Sequence, residues 1–143
     1  PRGQLLVGAE LGQAAVVREG DDCTVVAFGQ MVGRAAAAID ALAEEGISCD
    51  LIDPRTSSPL DTATILESVE ATGRLVVVDE SPPRCGLTAD IAALAADRAF
   101  HSLKGPIKQV CAPHSPTPFS PELEAAYLPS VEKIIAAIRE TLA

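Results

Sequence analysis

The sequence predicts a single α/β domain, a three-layer sandwich in which helices cover both faces of a largely parallel sheet. Residues 74–80 (RLVVVDE) form an aliphatic and β-branched run that ends in two carboxylates, which is typical of a strand buried on both faces. Strand-like and helix-like segments alternate, as in βαβ units. Hydrophobic residues make up 48% of the chain but aromatic residues only 3%, so Ala, Val, Ile and Leu must form the core. This composition favours helices packed on a parallel sheet.

Length, charge and cysteine usage narrow the class of protein. The 143 residues fit one domain, and 20 acidic against 11 basic residues give a net charge of -9. Nucleic acid and anionic membranes are therefore excluded as expected partners, and a basic partner is favoured. No apolar run approaches the ~20 residues of a membrane span. Because the chain has neither a signal peptide nor an initial Met, we expect a piece of a longer polypeptide.

The cysteines are isolated in the sequence, without a C-x-x-C pair or metal-ligand spacing. We interpret them as reduced thiols of a cytoplasmic protein. They are Cys23, Cys49, Cys85 and Cys111.

The first half of the chain predicts the start of a parallel sheet. Residues 1–13 are expected to be a linker or a docked arm, and the domain is expected to span residues 14–143. Strands are predicted at 14–18, 23–28 and 47–53, with a helix at 29–45. Gly29 and Gly33 do not make the G-x-G-x-x-G fingerprint, so a dinucleotide site is not expected.

The second half continues the alternation. Asp61 is predicted to cap a helix over 62–72 that Gly73 ends. The remaining predictions are strands at 74–80 and 107–111, a helix over 88–100 capped by Thr88, a short helix at 121–127 with Pro121 at its first position, and a final helix at 131–142 capped by Ser130.

Four residues follow the carboxyl ends of predicted parallel strands and should share one edge of the sheet: Gly29, Arg55, Glu80 and His114. Asp79 and Glu80 could act as an acid/base pair, but adjacent strand residues point to opposite faces, so loop capping or a subunit contact is preferred for Glu80. An ion pair of Arg55 with Asp53 or Glu80 is preferred over an anion site.

The other candidates also favour contact over chemistry. His114 could be a base or a metal ligand, but no Asp or second His is near it in sequence, so a shaped contact loop is preferred. Arg84 and the helix that follows could activate the Cys85 thiol, but no base is nearby. No catalytic, cofactor-binding or metal-binding residue is therefore expected, and the sequence describes a binding or assembly domain.

Several segments together resemble the C-terminal domain of the beta subunit of thiamin-diphosphate-dependent 2-oxo acid dehydrogenases, which has the transketolase C-terminal fold. They are VVAFGQMV at 25–32, LIDPRTSSPLD at 51–61, TGRLVVVDE at 72–80 and YLP at 127–129. The resemblance implies five strands, with residues 14–18 as an antiparallel edge strand. The motifs PRCG at 83–86 and APHSPTPFSP at 112–121 look most like the acetoin dehydrogenase branch. Pyruvate and branched-chain enzymes usually have Gly-Gly where this chain has Cys85-Gly86, and this departure favours acetoin as the substrate.

The resemblance also implies a division of labour. Thiamin diphosphate and magnesium belong to the full enzyme and lie outside this domain, which alone is expected to be inactive. The domain is expected to contact the alpha subunit and a second beta subunit, and to dock the lipoyl-bearing acyltransferase core. Candidate subunit-interface residues are Arg55, Glu80, Cys85, Gly86 and His114, and candidate docking residues on the final helix are Glu132, Glu140 and Ala143.

Two other functions remain open at this point. The domain could belong to a transketolase or a deoxyxylulose-phosphate synthase, in which the same fold follows both thiamin-binding domains. It could also be a stand-alone flavodoxin-like receiver or ligand-binding module. A receiver needs an acidic cluster after its first strand, and Phe28-Gly29-Gln30 offers none.

Overall fold

The computed structural model of the chain describes residues 10–143. The predicted arm over residues 1–13 therefore lies mostly outside the described residues. The described elements follow one another as β1 Ala15–Arg18, β2 Cys23–Ala27, α1 Met31–Ala43, β3 Cys49–Asp53, α2 Thr62–Thr72, β4 Leu75–Val78, α3 Leu87–Arg98, a 3-10 turn Phe100–Ser102, β5 Lys108–Val110, α4 Pro121–Tyr127 and α5 Val131–Leu142.

The five strands form one sheet in the order β1-β3-β2-β4-β5. β2 pairs in parallel with β3 and β4, and β4 pairs in parallel with β5. β1 pairs antiparallel with β3 at one edge of the sheet. The predicted fold class, including the antiparallel edge strand, is confirmed.

Helices cover both faces of this sheet. α1 and α5 pack on one face, where Met31, Leu42, Ile134 and Ile138 are almost wholly buried. α2 and α3 cover the other face through buried aliphatic residues such as Ile65, Val69 and Ile91. All residues of β2 and β4 are buried, because helices lie above and below them.

Local sequence signals fix several helix ends as predicted. The Asp61 carboxylate accepts a hydrogen bond from Thr64 N at 3.1 Å and caps α2, and Gly73 ends that helix in the left-handed region at φ 76°. The Ser130 hydroxyl accepts from Lys133 N and caps α5. Asp61 also accepts from Ala14 N at 2.9 Å, so one side chain joins the cap to the start of the domain.

Other predicted boundaries were wrong. α3 begins at Leu87 after Gly86, whose backbone is extended, and Thr88 is buried within the first turn, where its hydroxyl donates to Gln109 Oε1 at 3.2 Å instead of capping. Gly29 does not begin α1 but makes a turn at φ 53° ahead of Met31. β4 ends at Val78, which pairs with the last residue of β5, so the two carboxylates after it belong to a loop.

A buried group of hydroxyls satisfies the one polar side chain of β2. Thr24 shares hydrogen bonds with Ser68 at 2.7 Å and Thr72 at 2.8 Å, both on α2. Ser68 in turn donates to the Asp50 carboxylate on β3 at 2.5 Å. Because buried hydroxyls cost stability when they lack partners, this network accounts for polar residues in an otherwise apolar layer.

Candidate functional site

The carboxyl ends of the four parallel strands lie at one edge of the sheet, hereafter the carboxyl edge. Residues 28–30, 54–59, 79–86 and 111–120 leave the sheet there, after β2, β3, β4 and β5. The predicted placement of Gly29, Arg55, Glu80 and His114 at a common edge follows from this topology. In open α/β sheets, ligands and partners bind at this edge.

A pocket of about 390 Å³ lies elsewhere, between β5 and α5, whereas the pocket at the carboxyl edge measures about 250 Å³. The carboxyl-edge pocket, hereafter the acidic pocket, is lined by Gln30, Glu80, Thr117, Glu124, Tyr127 and Leu128. The Gln30 amide donates a hydrogen bond to the Glu80 carboxylate. The lining contains two carboxylates and no cation, so the pocket favours a cationic group.

Asp79 stabilises the loop that follows β4. Its carboxylate accepts from the backbone N–H of Glu80 at 2.9 Å and from the Ser81 hydroxyl. The Asp79 side chain is buried, whereas Glu80 is exposed. The loop-capping carboxylate is thus Asp79, and Glu80 belongs to the pocket.

Two of the five interface candidates adopt a backbone conformation that side chains disfavour. Arg55 has φ 63° and Cys85 has φ 57°. Arg55 Nε lies 3.0 Å from Asp53 Oδ2, so the expected ion pair forms with Asp53. Cys85 is exposed in the loop before α3. Strained backbone in loops of this kind often accompanies a contact or binding role.

Gly86 and His114 differ in their surroundings. A Cβ atom at Gly86 would lie 2.9 Å from Ser81 Oγ and 3.0 Å from the Pro82 carbonyl oxygen, so a side chain here would displace the loop. His114 is exposed in the loop after β5. Neither residue lines the acidic pocket, and nor do Arg55 and Cys85.

The cysteines show no arrangement for nucleophilic catalysis. Cys23 and Cys49 face each other across β2 and β3, and the hydrogen bond between the two thiols, together with burial, raises the pKa of Cys49. Burial also raises the pKa of Cys111. All four cysteines are free of disulfides, and each lies in the described part of the chain.

The final helix presents the docking candidates to solvent. The backbone N–H of Glu132 and the Ser130 hydroxyl hydrogen-bond to the Glu132 carboxylate and hold its pKa below the ordinary value. Glu140 forms an ion pair with Lys108 on β5, and Ala143 is exposed at the chain end. This face therefore carries both signs of charge.

The acidic pocket does not fit a thiamin diphosphate and its magnesium. Within residues 10–143, no group of three or more His, Cys, Asp and Glu side chains is placed to hold a metal ion. The carboxylates of the acidic pocket would repel a diphosphate. Of the helices in this range, none combines the length and apolarity needed to cross a membrane.

Sequence reasoning missed Gln30, Thr117, Glu124 and Tyr127. Gln30 and Thr117 are polar residues in loops that follow strands, and this signal could have marked both. Glu124 and Tyr127 lie on α4, and only the tertiary fold brings that helix beside the loops after β2 and β4.

Known proteins resemble this chain in both sequence and fold. Among curated relatives, it is 54% identical over 92% of its length to acetoin:2,6-dichlorophenolindophenol oxidoreductase subunit beta of Cupriavidus necator, and 48% identical to the Bacillus subtilis subunit of the same name. It is 42% identical to pyruvate dehydrogenase E1 component subunit beta of Bacillus subtilis. The chain spans 39%, 39% and 41% of these three relatives.

A solved structure supports the same family. The chain superposes on a split-gene transketolase, described as an inactive beta4 tetramer, with a TM-score of 0.81 and 28% identity, covering 94% of this chain and 42% of that one. The family model "Transketolase, C-terminal domain" matches residues 12–134. The chain therefore belongs to the transketolase C-terminal domain family, as its sequence motifs predicted.

Proposed function

We propose that this chain is the C-terminal assembly and docking domain of the beta subunit of a thiamin-diphosphate-dependent dehydrogenase that acts on acetoin or a 2-oxo acid. The observation that carries the proposal is the identity of 54% and 48% with two acetoin oxidoreductase beta subunits, against 42% with a pyruvate dehydrogenase beta subunit. This difference favours acetoin. The location of this enzyme in the cytoplasm stays a prediction.

In this proposal the chemistry takes place outside the domain. The full enzyme would cleave acetoin oxidatively, or decarboxylate a 2-oxo acid, and pass the fragment to lipoamide. Thiamin diphosphate and magnesium would be held by other parts of the enzyme, including an alpha subunit. The acidic pocket supports this division, because it offers a diphosphate only negative charge. The isolated chain is therefore expected to show no thiamin-dependent turnover.

The carboxyl edge would supply the contacts with the alpha subunit and a second beta subunit. Arg55, Glu80, Cys85, Gly86 and His114 are the residues proposed for these contacts. The positive φ values of Arg55 and Cys85 support the proposal, as does the exposure of Glu80 and His114. Glu80→Gln is expected to weaken beta-subunit association in the whole enzyme and to leave the domain folded.

The final helix would dock a basic module of the acyltransferase core through Glu132, Glu140 and the terminal carboxylate of Ala143. The net charge of -9 supports attraction to a basic partner. Calorimetric titration of the domain with that module tests this step. Glu132→Gln should weaken binding, whereas Glu67→Gln, on an exposed part of α2, should not. Absence of a heat of binding at low salt would contradict the docking proposal.

A chimera tests the assembly function as a whole. This chain would replace the matching C-terminal part of the Cupriavidus necator subunit and be coexpressed with the corresponding alpha subunit. We expect the chimera to assemble and to reduce 2,6-dichlorophenolindophenol with acetoin. A chimera that folds but does not associate with the other subunits would contradict the proposal.

A transketolase is the second candidate function. The superposition on a split-gene transketolase, with a TM-score of 0.81, favours it, although the 28% identity is well below that with the acetoin enzymes. The matching chimera on that transketolase discriminates between the two. We expect it to assemble less completely than the acetoin oxidoreductase chimera, and the reverse order would favour the transketolase.

A further inference from the structure

α4 is attached to the domain through little of its surface. Of its seven residues, Pro121–Tyr127, only Tyr127 is buried, and its hydroxyl donates to the Ser115 carbonyl oxygen at 3.2 Å. Leu123 on this helix is 61% exposed. Ala125 and Ala126 are exposed as well. The helix thus turns apolar side chains away from the core.

Phe119 adds an uncovered aromatic ring beside this helix. It precedes the helix cap Ser120, a position from which an apolar side chain commonly packs against the fourth residue of the helix. That residue here is Glu124, and Phe119 is 102% exposed. Because the burial of a Phe or Leu side chain is favourable, a complex in which a partner covers Phe119 and Leu123 would be stabilised.

The acidic pocket adjoins this apolar surface. Glu124 and Tyr127 line the pocket and lie on the same short helix as Leu123. The Gln30 amide is hydrogen-bonded to one carboxylate oxygen of Glu80 and holds that side chain at the pocket. An apolar surface next to a concave acidic pocket suits a segment that carries both an apolar side chain and a cation.

Charge decides which occupant this surface fits. A second copy of the chain, related by two-fold symmetry, would bring the same patch against itself. The acidic side chains of Glu80, Glu122 and Glu124 from both copies would then lie in one interface, and like charges across an interface are destabilising. The contact of Glu80 with a second beta subunit, proposed above, would therefore be made with a basic segment of that subunit and not with this same patch. A basic partner would instead be attracted to this surface, since the chain has a net charge of -9.

We propose that Phe119, Leu123 and the acidic pocket form one interaction surface for a basic protein segment. An arginine or lysine side chain of that segment enters the pocket between Glu80 and Glu124, and its apolar neighbours cover Phe119 and Leu123. This inference rests on the assembly role proposed above and states the chemistry of one of its contacts.

Nuclear magnetic resonance titration of the labelled chain with three tripeptides tests the surface. The probes are Ac-Leu-Arg-Leu-NH₂, its neutral citrulline analogue Ac-Leu-Cit-Leu-NH₂ and Ac-Gly-Arg-Gly-NH₂. We expect saturable shifts at Gln30, Glu80, Thr117 and Glu124 with the first. The citrulline peptide should bind about tenfold more weakly, because it lacks a charge-assisted hydrogen bond. The glycine peptide should bind roughly fivefold more weakly, because it covers no apolar surface.

Variants separate the two parts of the surface. The double change Glu80→Gln and Glu124→Gln should abolish the preference for arginine over citrulline, and Phe119→Ser should reduce the preference for leucine over glycine. Phe100→Ser is the matched control, since Phe100 is also an exposed aromatic residue, at 65%, but follows α3 at the opposite edge of the sheet. It should change neither preference.

Three results would overturn the proposal. They are equal affinity for the arginine and citrulline peptides, no saturable shifts at millimolar peptide, and a dimer in sedimentation velocity that Phe119→Ser abolishes. The last result would assign the surface to a second copy. None of these measurements needs another subunit. The chimera can therefore assemble even when the tripeptides do not bind, so the interaction surface and the assembly function can be refuted separately.

Discussion

Replacing Cys85 with Gly should stabilise the domain, since its backbone has φ 57°. In this left-handed region a side chain costs roughly 1–2 kcal/mol, which glycine avoids. Glycine also gives the unfolded chain more freedom, which costs about 0.4–1 kcal/mol. The Cys85 side chain is exposed, so its removal sacrifices little burial. The net expectation is a gain of roughly 0.5–1 kcal/mol.

Denaturant unfolding of the parent, Cys85→Gly and Cys85→Ala measures this gain. Cys85→Gly should raise the unfolding midpoint with an unchanged slope, and in thermal unfolding should raise Tm by roughly 1–4 °C. Cys85→Ala keeps the Cβ atom and its clash, so it should stay close to the parent. Equal stabilisation by both variants would refute the backbone argument and assign the effect to the thiol.

Three further predictions concern stability. Asp61→Asn should destabilise the domain at pH 7, because the hydrogen bond from Ala14 N holds the pKa of Asp61 below its ordinary value. The stability that the Asp61 carboxylate contributes is present above about pH 4 and is lost as the pH falls through the lowered folded-state pKa. Urea unfolding at several pH values should therefore show the difference in stability between parent and variant closing in acid. Gly73→Ala should lower the free energy of unfolding by at least about 1–2 kcal/mol, since φ is 76° and a Cβ atom would lie 2.8 Å from the Ser102 carbonyl oxygen. Gly33→Ala, on an exposed part of α1 with open space around the Cβ position, should instead raise the free energy of unfolding by about 0.8–1 kcal/mol through helix propensity, and thermal unfolding should show a higher Tm.

Local signals made part of the fold predictable. α2 was predicted with its observed limits because Asp61 and Gly73 act on their own immediate backbone. The start of α3 was wrong, because Thr88 has the side chain of a cap but packs against β5, where it bonds to Gln109. A contact 21 residues away in sequence thus outweighed a local preference.

The candidate site was predictable only in part. Parallel topology places the loops after β2 and β4 at one edge, and this is enough to associate Gly29 with Glu80. The acidic pocket also needs Glu124 from α4, which no periodicity relates to Glu80. The position of α4 depends on the tertiary fold. One of the contacts that set it is the hydrogen bond that Arg34 donates to the Pro129 carbonyl oxygen, between residues 95 positions apart in sequence.

The two edges of the sheet are built differently, and this difference bears on function. At the opposite edge, where the parallel strands begin, Arg74 donates a hydrogen bond to the Thr141 carbonyl oxygen at 2.8 Å, and Lys104 donates one to the Thr72 carbonyl oxygen at 3.2 Å. These side chains thus hold the ends of α5 and α2. The carboxyl edge instead carries the strained backbone of Arg55 and Cys85. Exposed aromatic rings lie at both edges, Phe119 at this one and Phe100 at the other.

Strained backbone reduces the stability of an isolated domain, and Arg55 and Cys85 both lie at the edge where α/β sheets bind ligands. A domain that worked alone would gain stability by placing glycine at Cys85, and a polar residue at Phe119 would remove an exposed ring that favours association. Contacts with a partner would offset both costs, because they can hold the strained loop and cover the ring. The combination therefore favours the proposed assembly surface over a binding site that is complete within this chain.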